Sequence, residues 1–153
     1  MKALELKVPP LVLLVIAGSS MLAVSRISSN LCFTLPGVAW LSTVLATAGL
    51  IIAILGVVEF RAAGTTVDPR MPEQSAKLVV RGVYRFSRNP MYLGFLLVLV
   101  AWGLFLGSTF SLLFLPAFIL YMNYFQIVPE ERFMREKFGE SYDQYSSQVR
   151  RWI

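Results

Sequence analysis

Uncharged apolar runs alternate with short polar clusters along this chain. Pro9 to Ser25, Met91 to Leu106 and Phe110 to Val128 carry no charge, and Val38 to Phe60 carries none before Glu59. A helix that is apolar all round belongs in lipid or in a large core. At about 1.5 Å per residue, the first run is just long enough for a hydrocarbon layer of about 30 Å. The pattern therefore predicts an all-α, polytopic membrane protein. Four transmembrane helices are expected, over about 9–25, 38–60, 91–106 and 110–128.

The breakers agree with this division. Pro36 and Gly37, after Ser28, Ser29 and Asn30, mark a turn between the first two runs. Gly107-Ser108-Thr109 is a tight uncharged turn, so spans three and four form an antiparallel hairpin. Pro116 predicts a kink in span four. Gly49 and Gly56 either let a neighbouring helix approach closely or are incidental. Residues 61–90 are a long polar connection that includes Asp68, Pro69, Pro72, Glu73 and Gln74. The apolar trio Leu78-Val79-Val80 within it favours an ordered loop over a linker. Beyond Pro129 the chain turns polar. Glu130 to Phe138 reads as a helix leaving span four, and Gly139 ends or bends it. Ser141 to Val149 reads as a second short helix with Tyr142, Tyr145 and Val149 on one face. Trp152 suits a membrane interface. The whole, residues 1–153, reads as one domain with a loop and a tail on the same side.

Composition narrows the chemistry. Of 153 residues, 56% are hydrophobic and 15% charged, which suits a membrane protein better than a soluble domain. A single cysteine, Cys32, excludes an internal disulfide and a cysteine-based metal site. The absence of histidine removes His-ligated metals and the common nucleophilic triads, so no metal is expected. The net charge of +5 is topogenic and does not point to nucleic acid. With four spans, thirteen of the fourteen Lys and Arg residues fall on the side of the N-terminus, the 61–90 loop and the tail. Arg26 alone falls on the other. Basic loops stay cytoplasmic, so both termini are expected there, in the plasma membrane if the source is prokaryotic. The first apolar run reads as a span, with no convincing leader-cleavage site.

Two polar clusters then share one membrane depth. Gly82 to Gly94 reads Gly-Val-Tyr-Arg-Phe-Ser-Arg-Asn-Pro-Met-Tyr-Leu-Gly, and Glu130-Glu131 stands across the hairpin from it. Plain readings exist for each. Arg81, Arg85 and Arg88 serve as anchors for anionic lipid. Asn89 caps the helix that Pro90 begins. Glu131 pairs with Arg135 one turn on. The alternative is that the two clusters are walls of one site.

The stretch resembles the signature of the isoprenylcysteine carboxyl methyltransferase family, which is related to the phospholipid N-methyltransferases. That signature runs Gly-x-Tyr-x-x-x-Arg-His-Pro-x-Tyr-x-Gly. Its second half is similar to Glu130-Glu131, Phe138-Gly139, Tyr142, Tyr145 and Arg150-Arg151 here. The resemblance covers about residues 61–153. It implies an integral membrane methyltransferase that uses S-adenosylmethionine on a lipidic or hydrophobic acceptor, isoprenylcysteine-like or phospholipid-like. It further implies that Lys77, Leu78 and Val79 hold the adenosine part with their backbone. Tyr84, Asn89, Pro90, Met91, Tyr92 and Glu130 would also contact the cofactor, with Gln74 a looser match. Glu131 or Arg85 would assist orientation, as catalytic residues. Asn89 stands where the family commonly has His, and still offers a donor and an acceptor. Gln126 stands at the substrate-binding position where prenylcysteine enzymes carry an Arg that meets a carboxylate. Gln makes no charge-assisted fork to such a group. Two other classes remain, an NADPH-dependent sterol-reductase-like enzyme and a non-catalytic membrane scaffold. The acceptor and the oligomeric state are not legible in the sequence.

Overall fold

A computed structural model describes residues 5–27, 32–64 and 77–153, and these form helices and turns with no β-strand among them. The helices are α1 (Pro10–Ile27), α2 (Val38–Ala62), α3 (Pro90–Leu106), α4 (Thr109–Leu112), α5 (Phe114–Tyr121), α6 (Val128–Phe138) and α7 (Glu140–Gln148). Met122–Ile127, between α5 and α6, winds as a π-helix. Three of these stretches are long and apolar enough to cross a membrane: α1, α2 and the nearly continuous run Thr109–Phe138. The apolar α3 is shorter, at 17 residues.

Helix α2 packs inside out relative to a helix of a soluble bundle. Buried positions on α2 are Ser42, Gly49 and Gly56, while Trp40, Leu50 and Ile54 are exposed. Lipid offers large apolar side chains no reason to turn inward, so small residues make the helix contact. A Cβ on Gly49 would stand 2.6 Å from the carbonyl oxygen of Gly94 on α3, and one on Gly56 would stand 2.6 Å from Cγ of Met91. Both glycines are therefore packing residues, and Gly94 is the partner across the contact.

On the other side of α3, α1 is held by polar bonds to its backbone. Trp102 Nε1 donates to the Gly18 carbonyl at 3.0 Å, and Ser111 Oγ to that of Met21 at 2.8 Å. Met21, Leu99, Phe118, Met122 and Ile127 fill the centre. Gly107, at φ 60°, ends α3 and turns the chain into α4.

Two prolines shape the last long run. Pro116 has no N–H for the carbonyl of Leu112, and regular helix stops there and resumes at Phe114. Pro129 likewise leaves the Phe125 carbonyl without its usual partner. That carbonyl instead accepts the N–H of Leu6 at 2.9 Å, from a residue held at φ 57°. The wide π turn lies directly before it, and the sequence pattern gave no sign of it.

Candidate active site

The Gly82–Arg85 segment is a 3₁₀ turn set against the end of α2. Gly82 adopts φ 58°, and a Cβ there would meet the Glu59 side chain, with Cδ at 2.6 Å. Arg81 Nε bonds Glu59 Oε2 at 3.0 Å, so the turn and α2 are pinned together. Tyr84 is thereby driven inward. Its ring lies 5.2 Å from that of Phe60, and its carbonyl accepts the Tyr145 hydroxyl at 2.7 Å. Its own hydroxyl is buried and has no partner among the described residues.

Pro90 then starts α3, as its fixed φ favours. Asn89 sits at the cap position, yet its side chain makes no cap bond. Nδ2 instead donates to the carbonyl of Arg151 at 2.9 Å. The backbone N–H of Arg88 donates to the Arg150 carbonyl at 3.0 Å. The C-terminal residues thus lie along the corner before α3. Trp152, expected at an interface, donates through Nε1 to Asn123 Oδ1 at 3.1 Å.

On α6 the two acidic residues part company. Glu130 Oε1 accepts the Tyr92 hydroxyl at 2.5 Å and the Gln126 amide at 2.6 Å. Neither bond lands on Oε2. Glu131 is a hub for two guanidinium groups. Arg151 forks onto it at 3.0 and 2.7 Å, and Arg88 Nη2 reaches Oε1 at 3.2 Å. The expected Glu131–Arg135 pair is replaced. Arg135 bonds Asp143 on α7 at 2.8 Å, because Gly139 folds α7 back toward α6.

These groups surround a cavity of about 90 Å³. Lys77, Leu78, Val79, Tyr84, Asn89, Met91, Tyr92, Glu130 and Glu131 line it. Pro90 is buried at the foot of α3, and Gln126 is buried behind Glu130. Arg85 stands elsewhere. It is exposed and lines a separate cleft with Ser141, Gln144 and Gln148 of α7. Arg88 occupies the cavity wall in its place, and its Nε is buried without a partner among the described residues. Gln74 lies outside the described residues. Phe60, Met134, Tyr142 and Tyr145 also line the cavity. The tyrosine spacing in α7 was the available signal for the last two. Among the described residues no acidic or cysteine cluster is fit to hold a metal ion.

Burial pushes the phenols of Tyr84, Tyr142 and Tyr145 above their ordinary value, so each is a neutral donor near pH 7. The cavity therefore presents a carboxylate oxygen at one point. Tyr84 and Arg88 also line it, and Tyr84 Oη and Arg88 Nε are buried with no hydrogen-bond partner among the described residues. Orphaned buried donors cost about 1–3 kcal/mol each, which a ligand acceptor would recover. The arrangement suits a ligand bearing both positive charge and hydrogen-bond acceptors, with apolar contact from Phe60, Leu78 and Met134.

Comparison with known proteins gives a consistent picture. The phospholipid methyltransferase family model matches residues 38–141. A probable protein-S-isoprenylcysteine O-methyltransferase of Oryza sativa subsp. indica is 32% identical over 113 residues, covering 73% of this chain and 59% of the rice protein. The protein-S-isoprenylcysteine O-methyltransferase of Schizosaccharomyces pombe is 36% identical over 73 residues, 47% of this chain and 30% of that enzyme. An uncharacterised protein of Haemophilus influenzae is 48% identical over 63 residues, all of its length and 41% of this chain. The chain thus spans less than two thirds of the two methyltransferase relatives.

Proposed function

The chain belongs to the phospholipid methyltransferase family, and from that membership we propose that it is an S-adenosylmethionine-dependent integral membrane methyltransferase. Its acceptor is lipidic or hydrophobic. The observation that carries this reading is Glu130, whose carboxylate is held by Tyr92 and Gln126 in the wall of a cavity that Tyr84 and Arg88 also line. A single domain spans residues 1–153. Four membrane crossings, with α3 the short one, put both termini and the cavity on the cytoplasmic side. The cofactor then arrives from water and the acceptor from the bilayer.

When bound, the sulfonium supplies an already activated methyl group, so little covalent chemistry falls to side chains. This chain's residues bind, orient and exclude water. Glu130 Oε2 takes the amino or ribose groups. Tyr84 Oη and Arg88 Nε meet acceptors on the cofactor. The backbone of Lys77, Leu78 and Val79, with Met91 and Asn89, lines the adenosine part. Glu131 acts on orientation through the arginines it holds. Gln126 spends its amide on Glu130, so that position offers an acceptor carboxylate no cation. A phospholipid-like acceptor, or another without a free carboxylate, follows more readily than a prenylcysteine carboxylate.

The test is transfer of labelled methyl from S-adenosylmethionine to a membrane lipid extract and, separately, to a prenylcysteine analogue, by detergent-solubilised protein. Label is expected in the lipid extract. No transfer to either, together with saturable NADPH binding, would move the chain to the reductase class. Binding of neither cofactor would leave a scaffold.

A further inference from the structure

Arg151 does not line the cavity, yet it bonds to both of the elements that meet there. Its carbonyl accepts Asn89 Nδ2 at 2.9 Å and Ser87 Oγ at 3.4 Å, both from the corner before α3. Its guanidinium forks onto Glu131 in the first turn of α6. The residues on either side extend the contact, since the Arg150 carbonyl takes the Arg88 N–H and Trp152 reaches Asn123 in the π turn. Glu131 is largely buried, at 15% side-chain exposure, as is Arg88 at 14%. Arg151 itself is 36% exposed, so water screens its pair in part, yet less than it screens a surface pair. The neighbouring pair Arg135–Asp143 is more than half exposed and is a surface pair in that sense.

Resting on the methyltransferase reading, we infer that Arg151 is a positioning residue. Anchored by Asn89, it shares Glu131 with Arg88 and fixes the first turn of α6 against the foot of α3. Glu130 is the adjacent residue on that turn, so its register with Tyr92 depends on the clamp. The bidentate fork is what sets the angle. A lysine ammonium is a point charge and cannot span both carboxylate oxygens in one plane.

The test measures S-adenosylmethionine affinity for wild type, Arg151→Gln, Arg151→Lys, Glu131→Gln and the Glu131→Gln/Arg151→Gln double variant. Amide hydrogen exchange is followed at Arg88 and across the first turn of α6. Arg151→Gln is expected to weaken binding about tenfold, the size of one lost charge-assisted hydrogen bond. Arg151→Lys should recover less than half of that on a logarithmic scale. The double variant should lose no more than Glu131→Gln alone, because Arg151 acts through Glu131. Exchange should quicken at Arg88 and in α6 together. Additive losses, or wild-type affinity in Arg151→Gln with faster exchange at Arg88 alone, would overturn the inference. If wild type binds no S-adenosylmethionine, the functional reading fails by itself. The clamp then stands if Arg151→Gln frees the α6 turn, and falls if it does not.

Discussion

The Tyr92 phenol on α3 and the Glu130 carboxylate on α6 meet at 2.5 Å, and the Gln126 amide reaches the same oxygen, Oε1. One oxygen is thus tied down by neutral donors, while neither of these bonds engages the other, on a residue that lines the cavity. The two residues are 38 apart in the sequence and come from opposite arms of the hairpin. Their bond is the point at which helix packing becomes site geometry.

Glu130→Gln keeps the shape and removes the charge. S-adenosylmethionine affinity should fall about 10- to 100-fold, as expected for a hydrogen bond to a charged group worth about 1.5–3 kcal/mol. Tyr92→Phe, which frees Oε1 of one donor, should cost about 1 kcal/mol in affinity. Equilibrium binding in detergent decides both. Wild-type affinity in Glu130→Gln would remove Glu130 from the site.

Tyr84→Phe separates binding from folding. The hydroxyl is buried and has no partner among the described residues, so its loss should leave thermal stability unchanged or slightly higher. Cofactor affinity should nevertheless drop about fivefold, or about 1 kcal/mol. A fall in melting temperature with no change in affinity would mean that the hydroxyl has a structural partner and no ligand.

Gly49→Leu addresses the membrane core. The backbones of α2 and α3 touch at Gly49 and Gly94, and a longer side chain has nowhere to go. Overpacking of this kind costs about 1–3 kcal/mol, and a backbone contact lies at the upper end. The variant should melt well below wild type in detergent, while Leu50→Ala, on the exposed face, should not.

Alkaline pH offers a further check. Tyr84, Tyr142 and Tyr145 have raised pKa values when folded, chiefly through burial. Above the ordinary phenol value of about 10 the unfolded chain gives up protons that the folded chain retains. Their contribution to stability is therefore complete below pH 10 and declines as pH rises beyond it. Melting temperature should be flat with respect to these groups from pH 7 to 9.5 and fall above about 10. The fall should be shallower in Tyr145→Phe.

The helical frame was legible because charges, Pro36-Gly37 and the uncharged turn Gly107-Ser108-Thr109 divide the apolar runs. The 9–25 run appears as Pro10–Ile27 and the 38–60 run as Val38–Ala62. Pro116 announced the break at Leu113. The π turn was not legible, since nothing in Met-Asn-Tyr-Phe-Gln-Ile signals it. It contains a carbonyl, that of Phe125, released by Pro129 and taken up by Leu6, a contact more than a hundred residues away in sequence. The site was half legible. Shared membrane depth brought Glu130 toward the Tyr84–Tyr92 stretch on paper. Which arginine would enter was hidden, because Arg81, Arg85 and Arg88 look alike in sequence. The 3₁₀ turn sends the first to Glu59 and the second outward, and leaves the third at the cavity. Glu131 found distant partners in place of its local one, since α7 supplies Asp143 to Arg135.

The six residues from Met122 to Ile127 are gripped from both ends of the chain, by Leu6 at Phe125 and by Trp152 at Asn123. They also carry Gln126. A purification tag, fluorophore or fusion partner joined beside either grip would load the turn that holds Gln126 behind Glu130. Weak binding by a tagged protein would then report the handle as much as the site, and a cleavable handle on a long spacer is the sounder preparation.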